Sequence, residues 1–114
     1  MKVVYIAGPY RSKGGINGIA ENIWNARQAA VRWIKKGYAV ICPHLNTSFM
    51  DGALPDEVFL ECGLELLNRA DVIVVLPGWQ DSEGSKAEVL RAREIGLEIL
   101  FDDMVYELRE RKHE

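Results

Sequence analysis

Residues 71–96, DVIVVLPGWQDSEGSKAEVLRAREIG, join an apolar run to a polar turn and then to a helical pattern. The run DVIVVLP is apolar from Val72 to Leu76, which is typical of a parallel strand covered on both faces. The helical segment extends from about Ser85 to Ile95 and is followed by Gly96, a residue common just after a helix end. Because a strand followed by a helix is the unit of parallel sheets, this stretch predicts an α/β protein.

The same alternation recurs on both sides of this stretch. Three further β-rich runs are VVYIA (3–7), YAVICP (38–43) and LEILF (97–101). Apolar residues at three- to four-residue spacing predict a long helix from near Asn17 to Lys36 and a second helix that begins near Pro55. The polar segment before Pro55 is predicted as a loop, and the tail after 101 as a short helix with a charged end.

Right-handed crossovers between parallel strands place the first strand between the second and the third. We therefore predict one domain over residues 1–114, with a small doubly wound parallel sheet of four to five strands. The arrangement is three-layer α/β/α, flavodoxin-like or Rossmann-like. Ligands of such sheets bind at the carboxyl ends of the strands, where the winding reverses. Here the loops AGPYRSKGG (7–15) and PGWQDSEGS (77–85) bound that crevice.

The composition and net charge of the chain limit the kinds of partner that it can bind. The 114 residues carry a net charge of -3, which offers no general attraction to nucleic-acid polymers or anionic membranes. No window reaches the roughly 20 apolar residues of a membrane span, and the N-terminus is not of signal-peptide type, so we predict a cytoplasmic protein. Cys42 and Cys62 lie in apolar stretches and are predicted to be buried, reduced thiols. Two histidines and two cysteines without ligand spacing predict neither a metal nor a cofactor.

The first loop, GPYRSKGG, has the features of an anion site. Gly8 allows a close backbone approach, while Arg11 and Ser12 supply donors before a helix N-terminus. The loop matches neither a Walker A motif nor a GxGxxG fingerprint, and a solvent-exposed turn is the alternative. Tyr10 is either a packing residue or a polar group in the pocket.

The segment PHLNTS follows the second strand and is expected at the same edge of the sheet. His44 and Asn46 are therefore candidates for the pocket wall. His44 would donate to a base or phosphate; the alternative is a loop histidine bonded to the backbone.

Glu88 is the candidate for the chemical centre. With a helix start near Ser85, Glu88 falls on or just after the first turn, where the helix dipole favours its ionised form. The predicted register turns Glu88 to the crevice and Ala87 and Leu90 to the sheet. A glutamate that merely complements the dipole is the alternative.

Four segments together resemble the nucleoside 2-deoxyribosyltransferase superfamily, particularly its small DUF4406-type members. They are IAGPYRS, CPHLNTS, ADVIVVLPGW and SEGSKAEVLRARE, and the resemblance covers residues 3–101. Its most specific part is the spacing Ser-x-Gly-x-x-x-Glu, which Ser82, Gly84 and Glu88 match.

The resemblance implies N-glycosidic chemistry on a small nucleoside or nucleotide. Glu88 would attack C1′ of a deoxyribosyl group, and the sugar ester would pass to a second base or to water, as in retaining glycosidases. Ser82 and Gly84 would hold the sugar or its 5′ substituent, and Arg11 a 5′-phosphate. Tyr10 would orient the nucleophile, and Trp79 would either stack on the base or pack in the core.

The chain departs from that pattern at one position. Active members carry an aspartate eight residues before the position of Asp71, and here that residue is Gly63. Glu61, Asp51 and Asp81 are nearby carboxylates without an assigned role. A catalytically inactive nucleotide-binding module is therefore the second hypothesis, and Asp71 itself is more typical of a structural cap than of a catalyst.

An assembly component is the third hypothesis. The helix around Leu60, Leu64 and Leu67 has more apolar surface than one small sheet requires. The resemblance also implies sites completed across a dimer interface. We therefore expect a homodimer or a higher homo-oligomer.

Overall fold

A four-stranded, all-parallel sheet forms the middle of the protein. The computed structural model describes residues 1–11 and 15–102, without the side chains of 15–17, so Ser12 and the predicted tail helix lie outside it. The strands run in the order β2-β1-β3-β4. Their bounds are β1 Val3–Ala7, β2 Ala39–Ile41, β3 Val72–Val75 and β4 Glu98–Phe101. The predicted placement of the first strand between the second and third is confirmed.

Within residues 1–11 and 15–102, four helices connect and cover the strands. They are α1 Gly15–Lys35, α2 Pro43–Asn46, α3 Asp56–Leu67 and α4 Glu83–Ile95, with a 3₁₀ turn at Trp79–Asp81. The short α2 lies in the segment predicted as a loop; Pro43, with its fixed φ, occupies its first turn. Gly96 ends α4 with a φ of 75°, as the sequence predicts.

The core divides into two clusters, one on each face of the sheet. Alternate residues of a strand point to opposite faces, so β1 and β3 each contribute to both clusters. One face buries Val4, Ile6, Val72 and Val74 against Ala26, Ala29 and Trp33 of α1. The other buries Tyr5, Ala7, Ile73 and Val75 against Leu67 of α3 and Val89 and Ala92 of α4. This confirms the α/β fold and is consistent with the three-layer arrangement.

The predicted register of α4 is correct for Glu88, which lines the cavity described below, and wrong for the side that faces the sheet. Val89 and Ala92 pack against the sheet, whereas Leu90 is 57% exposed. Successive residues lie 100° apart around a helix, so a shift of the contact line by one residue moves Leu90 out of the core.

Helix α3 also differs from its prediction. Gly63 and Leu67, one turn apart, are its buried residues, and the thiol expected to be buried at Cys62 is exposed because it lies beside that line. Leu60 and Leu64 are half-buried. Cys42 is buried, as predicted.

Asp71 joins the two central strands at their amino ends. Its Oδ2 accepts a hydrogen bond of 2.7 Å from the backbone nitrogen of Val3, and its own backbone nitrogen donates to the Val3 carbonyl at 2.8 Å. These contacts are those of a structural cap.

Within the described part of the chain, no helix is both long and apolar enough to cross a membrane.

Candidate active site

A cavity of about 560 Å³ lies beyond the carboxyl end of β1. Its walls come from α3, the first two turns of α4, the loop after β1 and the segment after β2. Most predicted site residues line it: Gly8, Tyr10, Arg11, His44, Asn46, Ser82, Gly84 and Glu88. The volume is in the range of small-molecule sites, so the predicted crevice is present where the winding of the sheet reverses.

Glu88 lies on the cavity wall in the second turn of α4. The helix begins at Glu83, two residues earlier than predicted, with Ser82 as its N-cap. The dipole effect fades within the first turn, so it gives little support to the ionised form here. Burial instead raises the pKa of Glu88 to about 7, opposed by a hydrogen bond from Tyr5. The prediction that the helix N-terminus keeps this carboxyl ionised is therefore wrong.

Tyr5 is the residue that holds Glu88. It lies in β1 with no exposed surface, and its hydroxyl donates to Oε2 of Glu88. Burial, followed by the neighbouring Glu88, raises the pKa of Tyr5 far above its usual value, so the phenol keeps its proton. The resemblance implies that Tyr10 orients Glu88, but the Tyr10 hydroxyl donates to Asp51 instead. The sequence held one signal for Tyr5, since a tyrosine within an aliphatic strand needs a partner for its hydroxyl.

Gly63 packs against the bond between Tyr5 and Glu88. A Cβ atom at position 63 would lie 2.7 Å from the Tyr5 hydroxyl oxygen and 3.9 Å from Oε2 of Glu88. The first distance is shorter than a non-bonded contact allows, and Tyr5 is too buried to move freely. The position where the resemblance implies an acid thus faces Glu88 but has no room for a side chain.

The loop after β1 is held by contacts from two helices. His44 donates from Nε2 to the carbonyl of Pro9 at 2.9 Å, and Asn22 of α1 donates to the carbonyl of Tyr10 at 2.9 Å. Gly8 is closely packed, because a Cβ there would lie 2.9 Å from Cβ of Leu76. These contacts fix the direction in which Tyr10 leaves the loop.

His44 is buried, with 6% of its surface exposed, and burial lowers its pKa. A carbonyl can only accept, so Nε2 carries the ring proton and Nδ1 is an acceptor. Nδ1 has no hydrogen-bond partner in the described part of the chain. The backbone-bonded alternative for His44 is therefore what the structure has, within the cavity wall.

Arg11 is already engaged by a carboxylate. Its Nε and Nη2 donate to the two oxygens of Asp56 at 3.0 and 2.8 Å, and both side chains are more than half exposed. A pair this exposed contributes little to stability, because solvent screens the attraction between the two charges. An incoming phosphate would have to compete with Asp56 for the guanidinium.

The remaining predicted residues lie around the start of α4. Ser82 uses its Oγ to accept from the backbone nitrogen of Ser85 at 3.2 Å, so it serves as the N-cap. Gly84 has open space around it. Trp79 does not line the cavity; its ring lies 6.1 Å from that of Phe101, which selects the packing alternative over base stacking.

The fold and the cavity together define a parallel α/β protein with a carboxylate-centred pocket at the switch point of its sheet. The model of the family described as Domain of unknown function (DUF4406) matches residues 2–101, and the chain belongs to that family. No curated protein matches the chain. Residues 1–11 and 15–102 contain no group of three or more His, Cys, Asp or Glu side chains placed to hold a metal ion.

Replacing Tyr5 with phenylalanine should raise the pKa of Glu88 above about 7, because the hydroxyl that stabilises its charged form is lost. If Glu88 reacts as a carboxylate, turnover at pH 7 should fall about 10-fold and recover in part at pH 9. The measurement is the pH–rate profile of the variant beside wild type. An unshifted profile would contradict the role given to Tyr5, and Tyr10→Phe is the control that should leave the profile in place.

Proposed function

We propose that this chain cleaves or transfers the N-glycosidic bond of a small nucleoside or nucleotide, with Glu88 as the nucleophile. The observation that carries the proposal is the position of Glu88: in the wall of a nucleoside-sized cavity, hydrogen-bonded by Tyr5, with a pKa of about 7. A carboxyl group poised between its two forms at neutral pH is uncommon on a protein surface and common in active sites.

The hydrogen bond from Tyr5 supports a nucleophilic role. It engages Oε2 of Glu88 and restricts the orientation of the carboxylate, so that Oε1 is the oxygen that Tyr5 leaves free to react. A fixed carboxylate beside C1′ stabilises the positive charge that develops on the sugar as the base departs. Burial strengthens this interaction because it lowers the local dielectric constant.

A binding module without turnover is the second candidate. It is favoured by Gly63, which stands where the resemblance implies the acid that acts on the departing base. Such a module would keep the cavity and the loop after β1 and would bind a nucleotide without releasing its base.

Free-base release tests the two candidates against each other. The protein is incubated with a panel of ribo- and deoxyribonucleosides and their 5′-monophosphates, with and without an acceptor base, and the products are separated by chromatography. Release that disappears in Glu88→Ala supports the enzyme; release that persists refutes Glu88 as the nucleophile. Glu94→Gln is the matched control, because Glu94 lies on the same helix, exposed and outside the cavity. Binding of a panel member by calorimetry with no release supports the module.

A further inference from the structure

The charge of the cavity wall is strongly biased. Six carboxylate side chains and one guanidinium, that of Arg11, belong to the described wall; the six acidic residues are Asp51, Asp56, Glu57, Asp81, Glu83 and Glu88.

Two of these carboxylates are neutralised by neighbours. Asp56 pairs with Arg11, and Glu83 pairs with Lys86 at 2.8 Å. The other four have no ion-pair partner within residues 1–11 and 15–102. A concave wall with several unpaired carboxylates concentrates cations and repels anions such as a phosphate group.

The hydrogen-bonding groups of the wall also favour a cationic ligand over a phosphate. The carboxylate oxygens of the wall are hydrogen-bond acceptors, so a sugar hydroxyl or a carboxamide can donate to them, whereas a phosphate at neutral pH offers further acceptors. The wall therefore suits a ligand that brings donors and positive charge.

Apart from Glu88, the proposed nucleophile, every carboxyl group of the described cavity wall is exposed. Position 63 has no room for a side chain, because a Cβ there would lie 2.7 Å from the Tyr5 hydroxyl oxygen. General acids of enzymes are usually enclosed side chains, and Asp51, Glu57 and Asp81 are all exposed. A neutral purine or pyrimidine leaves slowly without a proton; a base that is already cationic needs none.

We propose that the substrate is an unphosphorylated N-glycoside of a positively charged base, of the pyridinium or N-alkylpurinium type. This inference rests on the proposed N-glycosidic function of Glu88 and specifies its substrate class. The positive charge of such a base accounts for two features of the cavity. It is attracted by the negative wall, and it removes the need for an acid at position 63.

The reaction balances without a further group. One oxygen of the Glu88 carboxylate bonds to C1′ as the C1′–N bond breaks, and the electron pair of that bond passes to the ring nitrogen, which becomes neutral. Water then attacks C1′ of the glycosyl ester. The bond from C1′ to the glutamate oxygen breaks and restores the carboxylate, and the extra proton of the water passes to solvent.

The test compares substrates that differ in charge. Base release by the wild-type protein is measured for nicotinamide riboside, 7-methylguanosine, guanosine and the 5′-monophosphates of all three, and each rate is divided by the uncatalysed rate in the same buffer. This division removes the intrinsic lability of the cationic bases. We expect rate enhancements at least about 10-fold larger for the two cationic nucleosides than for guanosine, and smaller ones for the phosphorylated forms. The preference should shrink at high salt, because the exposed carboxylates are then screened.

A double variant isolates the contribution of the wall. Glu57→Gln with Asp81→Asn removes two exposed, unpaired carboxylates and should raise KM for nicotinamide riboside about 3- to 10-fold with little effect on kcat. An unchanged KM would overturn the role of the wall. Guanosine enhanced as strongly as the cations, with the release dependent on Glu88, would overturn the substrate class and leave the proposed function in place. Release from no substrate in this set or in the wider panel would overturn both.

Discussion

Glu88→Gln should abolish base release and at the same time stabilise the folded protein at alkaline pH. The amide cannot attack C1′, so the rate should fall by about 10³-fold or more. Stability changes in the opposite sense because of the pKa of Glu88, which burial raises from 4.5 to about 7 on folding. Between these two values the folded state binds a proton that the unfolded state has lost, so the free energy of unfolding falls as pH rises.

The size of this effect follows from the shift. A pKa difference of about 2.5 units corresponds to a change in the free energy of unfolding of roughly 3 kcal/mol at most. The wild-type protein loses this stability between pH 4.5 and pH 7 and does not regain it above pH 7. The glutamine variant does not pay this electrostatic penalty, since its amide stays neutral and its oxygen can still accept from Tyr5. Chemical denaturation at pH 5 and at pH 8.5 measures the difference.

The expected pattern is a small gap between variant and wild type at pH 5 and a gap of about 1–3 kcal/mol in favour of the variant at pH 8.5. Glu94→Gln, an exposed change on the same helix, should show no such dependence on pH. A Glu88 variant no more stable than wild type at pH 8.5 would mean that the carboxyl is not held in a desolvated site. Stability that is gained while activity is lost is typical of residues kept for function.

Gly63→Ala should destabilise the protein and weaken catalysis, although alanine is the better helix former by about 0.5–1 kcal/mol. The added Cβ would lie 2.7 Å from the hydroxyl oxygen of the fully buried Tyr5. Overpacking of this kind costs about 1–3 kcal/mol, which exceeds the gain in helix propensity. Displacement of Tyr5 would also disturb its hydrogen bond to Glu88, so we expect turnover to fall about 10- to 100-fold.

Two further variants make this prediction specific. Gly84→Ala places a methyl group in open space on helix α4 and should be neutral or slightly stabilising. In a Tyr5→Phe background the clashing oxygen is absent, and the nearest ring atom is then 4.0 Å from the new Cβ, an ordinary contact. Gly63→Ala should therefore lose its cost in that background, so that the double-mutant cycle gives a favourable coupling energy of about 1–2 kcal/mol. Additive effects would show that position 63 does not meet the Tyr5 hydroxyl.

Much of the fold could be predicted because its signals are local. The aliphatic runs of β1 and β3 and the glycine at position 96 act within a few residues of chain, and the chirality of crossovers then leaves one simple strand order. Local signals failed where a one-residue shift decides the outcome. The sequence pattern predicts that Leu90 and Cys62 are buried, and both are exposed. A helical pattern indicates that an apolar stripe exists more reliably than it indicates the direction in which the stripe faces.

The same distinction between local and long-range signals applies to the candidate site. The loop after β1, His44, Ser82 and Glu88 could be placed at one edge of the sheet, because parallel strands end on one side. The hydrogen-bond partners of those residues could not be predicted from the sequence. Tyr5 and Glu88 are 83 positions apart in the chain, and Tyr10 and Asp51 are 41 apart, so no sequence window contains either hydrogen bond.

The sequence by itself determined the parallel α/β class, the edge of the sheet that carries the cavity and the carboxylate at its centre. Each depends on residue type and on order along the chain. Only the tertiary structure decided which tyrosine holds Glu88, how Gly63 meets that tyrosine, and that Arg11 is already paired with Asp56. Those outcomes depend on distances of a few ångströms between separate elements. Such packing, unlike periodicity, cannot be predicted from any single segment of the sequence.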